Sequence, residues 1–314
     1  MKIIRFEDIV NLNISPKLFY GWVEEMLTHK ELSILPPKIS MIQAEHSFCN
    51  VMPCVLPNLD AMGVKIVTRY PNHIPSLSSQ IILYSQSTGD LLALMDGTFI
   101  TALRTGAVAA HSIDIFAKKN FTTIGLIGLG NTARSTLHIF ASMNRDKAYH
   151  LRLLRYKDQA ESFIERFQGY KNLSFSIHNS TEDVIMNSDV IVSCVTYADK
   201  LFADDRCYTS GCTVVPVHTR GFQNCDLFFD KVFADDRGHV KHFQTFDKFK
   251  HFSETCDVLF GKSPGRITDE ERILVYNIGI SIHDIFFAYK IYSMFNHLPD
   301  SINLVTSQVD KFWV

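Results

Sequence analysis

Residues 122–140, TTIGLIGLGNTARSTLHIF, constrain the fold more than any other segment. A short apolar strand runs into Gly128-Leu129-Gly130-Asn131-Thr132-Ala133, and a helical pattern follows. This is the glycine-rich turn of a dinucleotide-binding βαβ unit. Gly128 allows the tight turn, Gly130 lets a pyrophosphate approach the backbone, and Ala133 stands where helix and strand pack closely. Free N–H groups and the dipole at the helix start favour phosphate charge. The turn begins at residue 128 of 314, so a sizeable unit precedes it.

After residue 122, strand-like and helix-like runs alternate. TIGLIG, HLRLLR, SFSIHN, DVIVSCV, CTVVPVH and KVFADD read as strands, with TARSTLHIFASM and DQAESFIERFQGY as helices among them. Such alternation predicts an α/β fold, a doubly wound parallel sheet of Rossmann type. Before the turn the rhythm differs. Residues 16–30 have helical spacing with a proline near the start. KISMI, GVKIVTRY, QIILYSQ and DLLALMD are short β-type runs, the last two joined by a hairpin turn at SQSTGD. Residues 100–119 form an amphipathic helix, and ERILVYNIGISIHDIFFAYKIYSMF reads as one long, mostly apolar and buried helix.

The formal net charge of −2 gives no electrostatic case for nucleic acid or acidic membranes. No apolar run reaches the ~18 residues of a membrane helix, and the charged start MKIIRFEDIVNL is not a secretory signal. Seven cysteines without a CxxC pair predict reduced thiols in a cytoplasmic protein. Cys225 and Cys194 lack a histidine-paired nucleophile signature. His218, His239 and His242 read as surface loop residues rather than a metal site, because no third ligand has a fitting spacing.

Two further segments narrow the reading. ALMDGTFITALRTGAVAAHSIDIFAKK, residues 93–119, stands immediately before the glycine turn, and GVKIVTRYP with MPCVLP lies upstream. This order resembles the ornithine cyclodeaminase/mu-crystallin family over nearly the whole chain. The resemblance implies an α+β substrate-binding and dimerisation domain, here 1–117 with 287–314, around a dinucleotide-binding domain, here 118–286. It implies homodimers and NAD(P)(H) chemistry at the C–N bond of amino or imino acids. Members include ketimine reductases, an alanine dehydrogenase branch, enzymes of siderophore-precursor synthesis, cyclodeaminases with catalytic NAD, and mu-crystallin with its thyroid-hormone binding role.

On residues alone, Lys65 in GVKIVTRY reads as an edge-strand lysine. The resemblance makes it the substrate lysine, a cationic donor able to exchange a proton when desolvated. It makes Arg104, in TALRT, the fork that holds the substrate carboxylate. Lys38, in PPKIS, matches an arginine for the same carboxylate. Thr105 is expected to approach the cofactor, as are Asn131 and Thr132 in the turn, Thr196, Val217 and Asn277. Ser76 or Ser79 is expected near the nicotinamide. After the second strand, Arg155 and Lys157 stand where NAD sites place an acid, with Asp158 close by. Arg155 can pair with a 2′-phosphate, so the expectation leans to NADP(H) over NAD(H).

Family acids for a second substrate ammonium are replaced by Asn50 and Arg220, with Asp226 the nearest carboxylate. A like-charge pair at 4 Å costs about 4 kcal/mol at an effective dielectric of 20. The expected substrate is therefore an imine of a keto acid or an acid with two carboxylates, rather than ornithine. Cyclodeamination and cofactor-dependent binding with little turnover are the competing readings.

Overall fold

The computed structural model describes residues 1–43, 47–196, 198, 201–218 and 227–295. Six strands form a first sheet: β1 Lys2–Ile4, β2 Ile39–Ile42, β3 Phe48–Leu56, β4 Ala61–Arg69, β5 Leu77–Ser85 and β6 Leu91–Asp96, in the order β1-β6-β5-β4-β3-β2. Eight form a second sheet: β7 Thr123–Ile127, β8 Tyr149–Leu154, β9 Leu173–His178, β10 Val190–Ser193, β11 Thr213–Pro216, β12 Lys231–Ala234, β13 Phe252–Glu254 and β14 Ile273–Tyr276. The helices are α1 Phe6–Asn11, α2 Pro16–His29, α3 Thr98–Phe116, α4 Asn131–Met143, α5 Gln159–Arg166, α6 Thr181–Ile185, α7 Arg237–Val240, α8 Thr255–Leu259 and α9 Ser281–Met294.

The second sheet runs β13-β12-β14-β11-β10-β7-β8-β9, every pairing parallel. Strand order reverses at β7, which lies between β10 and β8, so the glycine turn leaves the sheet at its topological switch point. The short runs VIVS, TVVP, KVFA and ILVY are buried throughout, as strands covered on both faces must be. Full burial of one such side chain contributes about 1.5–3 kcal/mol.

In the first sheet, β3, β4, β5 and β6 form an antiparallel meander. One face is covered by helices, with α9 packed against β3, β4 and β5. Among the described residues the other face is left only partly covered, with Val51, Val55, Met62, Val64, Ile66 and Ile82 half-buried.

At the C-terminal side the structure corrects an expectation. The long helix expected over 271–295 is two elements. Ile273–Tyr276 is strand β14, the turn follows through Gly279 at φ +73°, and the helix starts at Ser281. A run of four apolar residues does not reveal its period. Gly279 supplies the left-handed backbone conformation that ends the run. Among the described residues no helix is long and apolar enough to cross a membrane, and the six described cysteines are free.

Helix α3 spans both sheets. Its C-terminal carbonyl at Phe116 accepts bonds from Thr213 of β11 and from Arg266. Midway it meets α4 at Gly106, where an added Cβ would lie 2.5 Å from the Ser135 Cβ and 2.6 Å from its backbone carbon. Gly106→Ala is therefore expected to cost about 1–3 kcal/mol through overpacking. Gly21 inside α2 has nothing within 4 Å of such an atom, and Gly21→Ala is expected to gain up to about 1 kcal/mol of helix propensity. Urea unfolding midpoints of the two variants, moving in opposite directions, check the pair.

Candidate active site

Three elements deliver one charged cluster. Lys65 lies mid-β4 with its side chain on the covered face, Arg104 lies on α3, and Asp284 lies in the first turn of α9. Asp284 is fully buried. Its Oδ2 is 2.7 Å from Lys65 Nζ, and its Oδ1 accepts from Arg104 Nε at 2.8 Å. A carboxylate in the first helical turn is also favoured by the dipole.

Arg104 Nη1 lies 3.4 Å from His283 Nδ1. A guanidinium only donates, so Nδ1 accepts and the imidazole carries its proton on Nε2. Burial, then the charge of Arg104, holds His283 well below its usual pKa, so it is neutral. The guanidinium also lies against Gly279, where an added Cβ would be 2.9 Å from Nη1. Asp235 fixes that turn by accepting from the Gly279 N–H at 3.0 Å and from Asn277 Nδ2 at 3.2 Å. Burial pushes Asp235 up to about 6, against the opposing effects of the Gly279 bond and Arg104.

Burial pushes the Lys65 ammonium down to about 7; Asp284 opposes this, while Arg104 and then Lys38 add to it. A lysine at that value exchanges protons near neutrality.

Of the expected substrate contacts, Lys38, Asn50, Lys65 and Arg104 line one cavity of about 290 Å³. From the expected cofactor set, Thr132, Thr196 and Val217 line the same cavity. Gly128 adopts φ +86°, and a Cβ there would meet the Cys194 backbone at 2.9 Å. A Cβ on Gly130 would project into open space, and no side chain caps α4, which starts at Asn131. Other expected residues are engaged elsewhere. Thr105 Oγ1 donates to the Thr101 carbonyl at 2.6 Å. Asn277 is buried and also donates to Ser112 Oγ at 3.0 Å. Ser79 is buried against Thr101 Oγ1, whereas Ser76 is exposed. Arg155, at the tip of β8, donates to Glu161 at 2.6 Å on the surface. Arg220 and Asp226 lie outside the described residues.

His218 is a correction to the surface reading. It is buried, lines the cavity, and its Nε2 sits 2.9 Å from Ser193 Oγ at the end of β10. It follows a buried parallel strand at the switch-point crevice, and that position carried the signal. His239 pairs with Asp236 at 2.7 Å, and His242 is exposed. Among the described residues no metal-holding cluster exists. Burial pushes the Cys194 thiol up to about 12, which removes it as a thiolate.

Sequence reasoning missed Asp284. An aspartate inside the apolar run SIHDIFF was its signal, since a fully buried charge requires a partner. A larger cleft of about 690 Å³ lies between α1, α3 and α4 and contains neither Lys65 nor Arg104. Size alone therefore does not locate the chemistry.

Fold and cluster define a class: a dinucleotide-binding parallel sheet whose switch point faces a lysine–arginine–aspartate triad carried by a second sheet and its helices. The chain belongs to the ornithine cyclodeaminase/mu-crystallin family, whose profile matches residues 3–297. It is 32% identical over 155 residues to the ketimine reductase mu-crystallin of Mus musculus, covering 48% of each chain. It is 23% identical over 303 residues to a Delta(1)-pyrroline-2-carboxylate reductase of Bacillus cereus, covering 90% of this chain and 92% of the relative. Its fold resembles the Thermococcus litoralis Delta(1)-pyrroline-2-carboxylate reductase solved with NADH and L-proline, at TM-score 0.82 and 23% identity, covering 93% and 97% of the two chains.

Asp284→Asn leaves two buried cations without their carboxylate and is expected to cost about 3–5 kcal/mol in denaturant unfolding. Lys65 adds a pH signature. Its folded pKa lies below its unfolded value, so from about pH 7 upward the folded chain releases a proton that the unfolded chain retains until about pH 10. Stability relative to Lys65→Met is therefore expected to rise between pH 7 and 9, and unfolding of both proteins across that range checks the sign.

Proposed function

We propose that this chain is an NAD(P)(H)-dependent oxidoreductase acting at the C–N bond of an amino or imino acid. The observation that carries the reading is the convergence of Lys65 and Arg104 on Asp284 in a cavity that also holds Thr132 of the glycine turn. The names of the mouse and Bacillus cereus relatives support the same chemistry.

The cofactor fits the residues present. The space beyond Gly130 and the uncapped start of α4 suit a pyrophosphate, and Thr196 and Val217 wall the crevice beyond β10 and β11. When bound, a nicotinamide accepts or supplies the hydride. Arg104 presents Nη2 to the substrate carboxylate, while Asp284 holds Nε and His283 faces Nη1. That clamp sets the substrate carbon against the cofactor, an orientational contribution. Lys65 protonates the nitrogen as the C=N bond becomes C–N, and in the reverse direction it takes that proton back. With a pKa near 7 it holds and releases the proton within the working range. Asn50, at the position of a family acid, offers no charge to a second substrate ammonium, which disfavours ornithine.

We read the cofactor as NADP(H), on the strength of Arg155 at the tip of β8. A 2′-phosphate there would share or displace Glu161. Following NADPH or NADH oxidation with a panel of keto acids and amines tests the activity and the cofactor together. Lys65→Ala is expected to lower turnover by about 10²–10⁴, with activity falling as pH rises through about 7. Full turnover in Lys65→Ala would sink the mechanism, and Arg155→Ala is expected to raise KM for NADPH more than for NADH.

We read the protein as a homodimer. The half-buried apolar face of β3, β4 and β5, with Ile39 and Met41 exposed on edge strand β2, is a surface that a second copy would cover. A light-scattering mass of one chain at micromolar concentration would refute it.

A further inference from the structure

The larger cleft, of about 690 Å³, has two unlike walls. One is apolar. Helix α1 contributes Phe6, Ile9 and Val10, a stripe at i, i+3 and i+4. Phe99 and Leu103 of α3 continue that wall, and Phe6 meets Phe99 edge to face at 5.3 Å. Phe6 stays 42% exposed and Val10 38% exposed, so among the described residues the stripe is left partly open.

The other wall is cationic, lined by Arg134 of α4 and Arg166 of α5. Arg134 Nη2 donates to the neutral Ser162 Oγ at 3.1 Å, and its Nε is buried without an acceptor among the described residues. Burial, then the charge of Arg166, pulls the Arg134 guanidinium below its usual pKa. Among the described residues neither arginine has a carboxylate partner, and no carboxylate lines the cleft. Two like charges beside apolar surface, with no counter-ion, disfavour each other; an anion placed there offsets both the burial and the repulsion.

We infer that this cleft binds a small carboxylate with an apolar body, its charge against Arg134 and Arg166 and its chain along α1 and α3. A mostly apolar concave site with a few convergent polar groups is the usual form of a small-molecule pocket. The site is separate from the cavity that holds Lys65 and Arg104, since no residue lines both. Successive residues of α3 serve the two: Leu103 lines the cleft and Arg104 the cavity. The inference is therefore independent of the redox reading. A longer apolar body gains affinity with each methylene it buries, whereas a second charge on the ligand would meet the apolar wall.

Calorimetric titration of the full chain with octanoate and with butyrate tests this. Octanoate is expected to bind at least tenfold more tightly than butyrate. Val10→Glu sets a carboxylate at the open rim of the cleft, and Arg166→Met removes an exposed charge; both positions are accessible enough for the fold to tolerate the change. Each variant is expected to lower octanoate affinity at least fivefold. Asn50→Asp sets the same charge in the other cavity and is expected to leave octanoate affinity within twofold. Absence of octanoate binding at millimolar concentration, or equal affinity for butyrate, would overturn the inference. So would octanoate binding left unchanged by either Val10→Glu or Arg166→Met, or lost in Asn50→Asp.

Discussion

Asp284 joins three pieces of chain that are distant in sequence. One carboxylate, with no exposure to water, ties the middle of a strand to a helix on one side and begins another helix itself. Taking three charges out of water is costly, and their mutual attraction offsets that cost only in close geometry. The close geometry is present: both contacts are below 3 Å, the imidazole of His283 is neutral beside the arginine, and Gly279 offers no side chain in its way. A hydrophobic trio of similar volume could serve folding as well. The charged trio is better explained by what it leaves available, a lysine near its titration point and the Nη2 group of the arginine.

Much of the architecture was legible in the residues. The glycine turn is legible because its requirements are steric and local: Gly128 takes a left-handed conformation against Cys194, and Gly130 borders open space. Helix α3 is legible because nineteen residues carry enough turns for the period to show. Strand β14 was misread because ILVY is equally apolar in either conformation and only the later positive φ at Gly279 separates them. Lys65 was singled out by resemblance alone, since one lysine in a strand carries no local mark of burial.

The rest of the site depends on contacts that cross the chain. Asp284 earns its partners from β4 and α3, some 180 and more residues away in sequence. The register of β3 against β4 shows that the face carrying Lys65 is a cavity floor, which no single segment of chain reveals. Asn277 lies beyond a parallel strand, as a crevice residue does; its Nδ2 holds Asp235 and Ser112, while its buried Oδ1 has no hydrogen-bond partner among the described residues.

The contact at Gly106 has a consequence for the order in which ligands meet the protein. Helix α3 touches α4 there at backbone distance, two residues from the arginine proposed to clamp the substrate. The first turn of α4 is the cradle proposed for the cofactor. Packed interiors transmit displacement rather than absorb it. If the cofactor draws α4 inward, α3 must shift with it, and Arg104 is repositioned before any carboxylate arrives. Such coupling is reciprocal: whatever the nucleotide contributes to carboxylate affinity, the carboxylate returns as tighter nucleotide binding.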